Sequence, residues 1–264
     1  MTASAVSETR GARRRRPRSR ATFTSVLGEL LLTAGVIVLL FVAWQMWIGD
    51  IIIAAQKNEE GAAISAQLAE GPVPDPPPLV EAEDGTTYYE PVIPAPPADA
   101  QWFGQMHVPR FGADYNYPIY GGTTRARTLD KLGIGVYDSS KMPGEVGNFS
   151  MAGHRTTWGK PFNQIDKLQL NDAIVVETPD GWYTYRFRTL EYVKPSATDV
   201  LLDVPQAPAA QTGERFITLT ACSPLYSLAE RIVAYGVFEG FQPRAEGPPK
   251  ALTDPPPPPA APSV

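Results

Sequence analysis

The chain has 264 residues, two histidines, one cysteine and a formal net charge of −5. A lone thiol excludes an internal disulfide, and it excludes the paired cysteines of the usual structural zinc sites. Neither His107 nor His154 belongs to a His-x-x-x-His pair, so no histidine metal pair is encoded.

Residues 10–20 read RGARRRRPRSR, seven arginines in eleven positions. They precede residues 26–48, VLGELLLTAGVIVLLFVAWQMWI, whose one charge is Glu29. At about 1.5 Å per residue this run reaches roughly 34 Å as a helix, enough to cross a bilayer core with some tilt. The apolar core of a cleavable signal would be only about 7 to 15 residues long. The pattern predicts an uncleaved anchor over 25–53, with the basic arm 1–24 in the cytoplasm and all that follows outside. Trp44 and Trp47 stand near the outer end, where interfacial aromatics concentrate. With the arm and Glu29 set aside, the remainder carries about −10, so the basic cluster orients the chain in a membrane and nucleic-acid binding is not expected.

Residues 54–70 are expected to form a short helix beside the membrane. Residues 71–100 hold nine prolines and read, to 101, as an extended, semi-rigid linker. A second proline-rich stretch, 243–264, closes the chain without any alternation that would bury a face.

Residues 102–242 form one domain of ordinary size. Short alternating or β-branched runs predict strands at 105–108, 118–120, 148–153, 173–178, 182–192, 215–220 and 231–239, with a hairpin at TPDG (178–181). Short helices are expected at 124–132 and 161–168. This is the pattern of an all-β barrel or sandwich with small helical inserts.

In RFITLTAC, Ile217, Leu219 and Ala221 share one face, while Phe216, Thr218, Thr220 and Cys222 share the other. The aliphatic set defines the core side. Cys222 therefore projects with two threonines toward a more polar surface, which argues against an inert buried thiol. Only SPLYSLAE separates Cys222 from Arg231, so antiparallel pairing would bring a guanidinium beside the sulfur. Such a cation stabilises a thiolate and any oxyanion formed on an attacked carbonyl. Of the two candidate proton-transfer partners, His107 lies in an ordinary early strand, whereas His154 ends the strand NFSMAGHR at the mouth of a loop.

NFSMAGHR, TLTAC and CSPLYSLAER, in this order, resemble the histidine segment, cysteine strand and arginine-ended loop of the sortases, most closely the class E housekeeping sortases of actinobacteria. The resemblance covers about residues 104–240. It implies a closed eight-stranded sortase-type β-barrel preceded by one transmembrane helix. It implies Cys222 as nucleophile of a thioacyl-enzyme, His154 as general acid and base, and Arg231 as oxyanion and substrate contact. Tyr137, in GVYDSSKMPGEVGNF, matches the tyrosine that class E members use to favour Ala over Pro in a Leu-Ala-x-Thr-Gly signal. Ala221 and Ser223 depart from the family pattern, in which Thr commonly precedes the cysteine and His often follows it.

The reaction so implied cleaves a C-terminal sorting signal of Leu-Ala-x-Thr-Gly or Leu-Pro-x-Thr-Gly type between Thr and Gly. It then joins the secreted protein to a peptidoglycan precursor amine of the lipid II type, with no metal or organic cofactor. A pilus-polymerising sortase and a catalytically inactive wall-binding module stay open as alternatives. An L,D-transpeptidase would place its arginine close behind a Ser-x-Gly-Cys motif, which TACSP lacks. On the topology given by the arginine arm, protease added to intact wall-less cells removes the domain bearing Cys222 and spares residues 1–24. Protection of that domain with loss of the arm would reverse the orientation.

Overall fold

The structure, a computed structural model, describes residues 22–44, 48–82, 84–211 and 213–254. The arginine arm, Trp47 and the tail from 255 lie outside the described residues.

Helix α1 (Phe23–Ala43) forms a unit by itself. Thr22 caps it, its hydroxyl accepting from the Ser25 N–H. It is long and apolar enough to cross a membrane, and none of it is buried. Helix α2 (Gly49–Glu70) belongs to the second unit and starts earlier than the expected 54, so residues 49–53 are part of it. It lies along a barrel strand, β4 (Asn116–Gly121). Gly61 permits this approach, since a Cβ there would meet the Asn116 carbonyl oxygen at 2.2 Å. Around it, the Asn116 N–H donates to Asn58 Oδ1 (2.9 Å) and the Tyr120 hydroxyl to Glu60 Oε1 (3.2 Å).

The linker is not extended throughout. Strands β1 (Leu79–Glu81) and β2 (Thr87–Tyr89) form a hairpin, which meets the last strand, β10 (Glu230–Pro243), at Phe241↔Tyr89.

The barrel comprises β3 (Trp102–His107), β4, β5 (Ile134–Val136), β6 (Gly147–Ala152), β7 (Ala173–Thr178), β8 (Gly181–Val193), β9 (Arg215–Ser223) and β10. Their order is β10-β8-β7-β3-β4-β5-β6-β9, and β9 pairs back to β10. The sheet is thereby a closed eight-stranded barrel, which removes all free edges from those strands. Six pairings are antiparallel, while β4–β5 and β6–β9 are parallel. The interior holds Met106, Ile119, Phe149, Met151, Tyr183 and Ile217, each 2% exposed or less.

Several expectations are corrected. Strand β5 was not foreseen. The helix expected over 124–132 is one π-helical turn, Arg125–Leu129, and that expected over 161–168 is a 3-10 turn, Ile165–Lys167. Each makes a single turn, too short for helical hydrogen bonding to propagate. The face of β9 read as polar surface is covered: Thr218 and Thr220 are buried, and Thr218 Oγ1 donates to Asn148 Oδ1 at 2.8 Å.

Opposite charges are buried where α2 meets the barrel. Glu177 accepts from Arg244 Nη2 (3.0 Å) and Ser65 Oγ (2.6 Å), and His107 Nε2 lies at 2.8 Å. Burial pushes the Glu177 carboxyl up, but its contacts with His107, Ser65 and Arg244 outweigh this and leave it below the ordinary value of 4.5. Removing the carboxylate strands a buried guanidinium, so Glu177→Ala is expected to cost about 3 kcal/mol in urea unfolding of the detergent-solubilised chain. A depressed folded-state value stabilises above the unfolded value and is lost as pH falls through the folded one. The difference between Glu177→Ala and wild type should therefore shrink below pH 4.5; a gap that widens there would refute this assignment.

Candidate active site

Strands β6 and β9 run parallel, with Ala152 opposite Thr220, and the Gly153 N–H donates to the Thr220 carbonyl at 3.1 Å. His154 stands two residues past the end of β6, and Cys222 two residues further along β9. On the other side of β9 the antiparallel ladder places Arg231 directly opposite Cys222. Directly opposed residues point to the same face of a sheet. Thus the three residues singled out from the sequence meet at one end of the barrel, with the sulfur between the histidine and the arginine. All three line one cavity of about 540 Å³, together with Tyr137, Leu129 and Leu228 among others. His107 does not line it; its ring is held by Glu177 beside α2.

Local sequence explains each position. Gly153 lies over the Phe162 ring, and a Cβ there would meet that ring at 2.7 Å, so glycine lets the strand end pass over it. The Phe162 N–H donates to the His154 carbonyl (3.0 Å), which turns the chain into the following loop. His154 Nε2 lies 2.7 Å from Asp130 Oδ1, and its side chain is 12% exposed. Arg125 Nε touches the same oxygen at 3.4 Å. A carboxylate in this place fixes the ring orientation and leaves Nδ1 as the other nitrogen. Arg231 Nη1 donates to the carbonyls of Glu230 (2.9 Å) and Leu228 (3.2 Å), so its fork is anchored at the base of the loop.

Tyr137 follows β5, its N–H donating to the Ser150 carbonyl at 3.1 Å. Its hydroxyl reaches across β6 to Thr220 Oγ1 at 2.8 Å. Thr220 Oγ1 also reaches the Met151 carbonyl at 3.3 Å, and whichever hydroxyl donates in the pair, the tyrosine oxygen keeps a free lone pair. Burial raises the Tyr137 hydroxyl above its ordinary value, the Thr220 hydrogen bond and the charge of Arg231 oppose this, and Cys222 adds to the rise. Tyr137 shares the cavity with the cysteine and the arginine.

Asp130 and Arg155 were not read from the sequence. Asp130 lies 24 positions before His154 in RTLDKLG, where nothing distinguishes it from a solvated charge. Arg155 is buried; its Nη2 lies 3.3 Å from Asp166 and its Nη1 3.4 Å from Ser223 Oγ.

Residues 106–239 match the family model described as a sortase domain. The chain belongs to the sortase family.

It is 34% identical over 255 residues to Sortase SrtE1 of Streptomyces coelicolor, a match covering 94% of this chain and 66% of that one. The sortase thus spans just under two thirds of that relative's length. It is 30% identical over 240 residues to Sortase SrtE2 of the same organism, covering 86% and 87%. Among solved structures, SrtA sortase from Actinomyces oris superposes with a TM-score of 0.58 at 35% identity, covering 61% of this chain and 93% of that one. Sortase E1 from Streptomyces coelicolor, solved with a tripeptide in its active site, gives a TM-score of 0.55 at 35% identity and covers 59% and 99%. These relatives place the sortase in class E, and sortases are cysteine transpeptidases.

Proposed function

We propose that Cys222 is the nucleophile, His154 the general acid and base, and Arg231 the oxyanion contact of a membrane-anchored transpeptidase. The observation that carries this is the pair of ladders on β9, which bring one histidine and one arginine to either side of the chain's single cysteine. The thiolate attacks the Thr-Gly carbonyl of a C-terminal sorting signal, and His154 gives its proton to the departing amine. Arg231 holds the oxyanion of the tetrahedral intermediate. An amine of a peptidoglycan precursor, of lipid II type, then resolves the thioester, and water replaces it slowly. A groove of about 540 Å³ suits an extended peptide of a few residues, and the tripeptide in the active site of sortase E1 supports a peptide substrate. The partners are secreted proteins bearing the signal. Helix α1 anchors the chain, with its N-terminus in the cytoplasm and the barrel outside.

Tyr137 supports a preference for Ala over Pro at the second position of the signal. Its free lone pair accepts the backbone N–H that alanine has and proline lacks, and its ring crowds the proline ring. A hydrogen bond of this kind discriminates by about ten- to a hundredfold.

One assay tests both parts. Leu-Ala-x-Thr-Gly and Leu-Pro-x-Thr-Gly peptides are cleaved by the detergent-solubilised chain and its variants, with kcat/KM measured for each. Cys222→Ala and His154→Ala are expected to lose about a thousandfold or more, and Arg231→Ala about a hundredfold. His107→Ala keeps activity within a few fold. Tyr137→Phe should narrow the alanine-over-proline ratio by slowing the alanine peptide. Near-normal turnover by Cys222→Ala ends the transpeptidase reading, and an unchanged ratio in Tyr137→Phe moves the selector elsewhere.

A further inference from the structure

The first two turns of α2 present an apolar stripe to solvent. Ile48, the residue capping the helix, Ile51 and Ile52 are each between 45% and 59% exposed, and Ala55 is exposed as well. Their spacing of three, four and seven positions puts them on one side of the helix. The opposite side meets the barrel, where Asp50 and Gly61 are buried and Ala54 packs on the core. Because Asp50 is turned inward, the first exposed acid on α2 is Glu59. Beyond Ala55 the exposed positions of α2 are only alanine, glutamine and glutamate, so the stripe is confined to one end.

The loop after His154 extends this surface. A Cβ on Gly159 would meet Ile53 Cγ2 at 2.9 Å, so the loop packs against the same turns of α2. Trp158, Gly159 and Lys160 all adopt left-handed backbone, with φ of 57°, 78° and 43°. The Lys160 N–H donates to the Thr157 carbonyl (2.9 Å), and the Tyr117 hydroxyl holds the Gly159 carbonyl at 2.5 Å. Such a backbone is costly for a bulky side chain, and glycine or asparagine is what the fold alone would favour there. Yet the indole of Trp158 is 45% exposed, with no hydrogen bond or ring contact among the described residues. Lys160 is partly exposed and forms no ion pair among them. Strain spent on presenting a tryptophan to solvent points to a partner outside the barrel.

Chain length limits where that partner lies. Ala43 ends α1, and the stretch from there to Ile48 spans at most about 18 Å even when fully extended. If α1 crosses a bilayer, the stripe starts within that distance of the lipid. Aliphatic side chains, one indole and one unpaired ammonium are the composition of a surface seated at a membrane interface. We propose that the start of α2 and the Trp158 turn form a membrane-docking surface whose partner is a phospholipid bilayer. Ile48, Ile51 and Ile52 enter the boundary of the acyl chains, Trp158 lies at headgroup level, and Lys160 meets lipid phosphate. This rests on the reading of α1 as a membrane anchor and adds which face of the barrel domain rests on lipid. Thr156 and Thr157 line the groove of Cys222 and directly precede Trp158, so one wall of that groove is set against the membrane surface.

The test uses the full chain with Cys222→Ala, so that one added cysteine carries the only label. Ala34→Cys, Thr157→Cys and Glu70→Cys each receive a nitrobenzoxadiazole fluorophore in vesicles of phosphatidylcholine and phosphatidylglycerol. Lipids with a doxyl group near the headgroup then report contact by quenching. Position 34 probes the span, and position 70 is the control at the far end of α2, about 28 Å from Ile51 along the axis. Labels at 34 and 157 are expected to lose most of their emission, and the label at 70 to keep it. Ile51→Asn with Ile52→Asn, or Trp158→Asn, should restore the emission at 157. These side chains are exposed and asparagine tolerates left-handed backbone, so the fold is kept. Quenching at 34 without quenching at 157, equal quenching at 157 and 70, or a loss at 157 that the variants leave unchanged overturns the docking surface. A label at 157 shielded from lipid and from aqueous iodide alike, increasingly so at higher protein-to-lipid ratio, gives the surface to a second copy of the chain and overturns it too. No quenching at 34 overturns the anchor reading itself, and the docking surface falls with it.

Discussion

Strand β9 is hydrogen-bonded along both edges, in parallel to β6 and antiparallel to β10, and the position of every group in the proposed site depends on this double pairing. A strand held on two sides has little freedom to slide, because a shift of one residue would turn Ile217 and Leu219 out of the apolar core and put the threonines in their place. The sulfur of Cys222 is consequently fixed relative to two neighbours that come from distant parts of the chain. A site supported by rigid strands holds its reacting groups more tightly than one built on loops alone.

The remaining contacts refine what the ladders set. Asp130 orients the His154 ring from one side, and the backbone carbonyls of Glu230 and Leu228 anchor the Arg231 fork from the other. Thr220 links the cysteine strand to Tyr137, so the residue that would sense the second position of the signal is tied to the strand that carries the nucleophile. On a different part of the barrel, the buried cluster of Glu177, Arg244, His107 and Ser65 joins α2 to strands β3 and β7. The second histidine is thereby explained as a hydrogen-bond partner of Glu177, which accounts for a chain with two histidines needing only one at the proposed site.

Much of this was legible in the sequence because the informative patterns are local. Alternation through 216–222 separates core from site face, an eight-residue loop makes the pairing of Cys222 with Arg231 the natural one, and Gly153 marks a strand end at His154. What was not legible is long-range. The parallel pairing of β6 with β9 joins segments 68 residues apart, as Ala152↔Thr220, and leaves no periodic trace in either. Strand β5 has only three residues, too few for an alternation to register. Thr218 and Thr220 read as surface because threonine is a polar residue, yet Asn148 and Tyr137 cover them with hydrogen-bonding partners. Polarity of a strand face is a guide to exposure only when nothing polar lies above it.

The central claim, that Cys222 carries the signal as a thioester, is open to direct observation. The detergent-solubilised chain is mixed with a Leu-Ala-x-Thr-Gly peptide without added amine, quenched in acid, and its intact mass and proteolytic fragments are measured. The expected product is the chain enlarged by the peptide up to its threonine, with the added mass confined to the fragment containing Cys222 and released by hydroxylamine. Peptide cleavage with the added mass on any other residue, or with no covalent adduct at any quench time, would show that Cys222 is not the nucleophile.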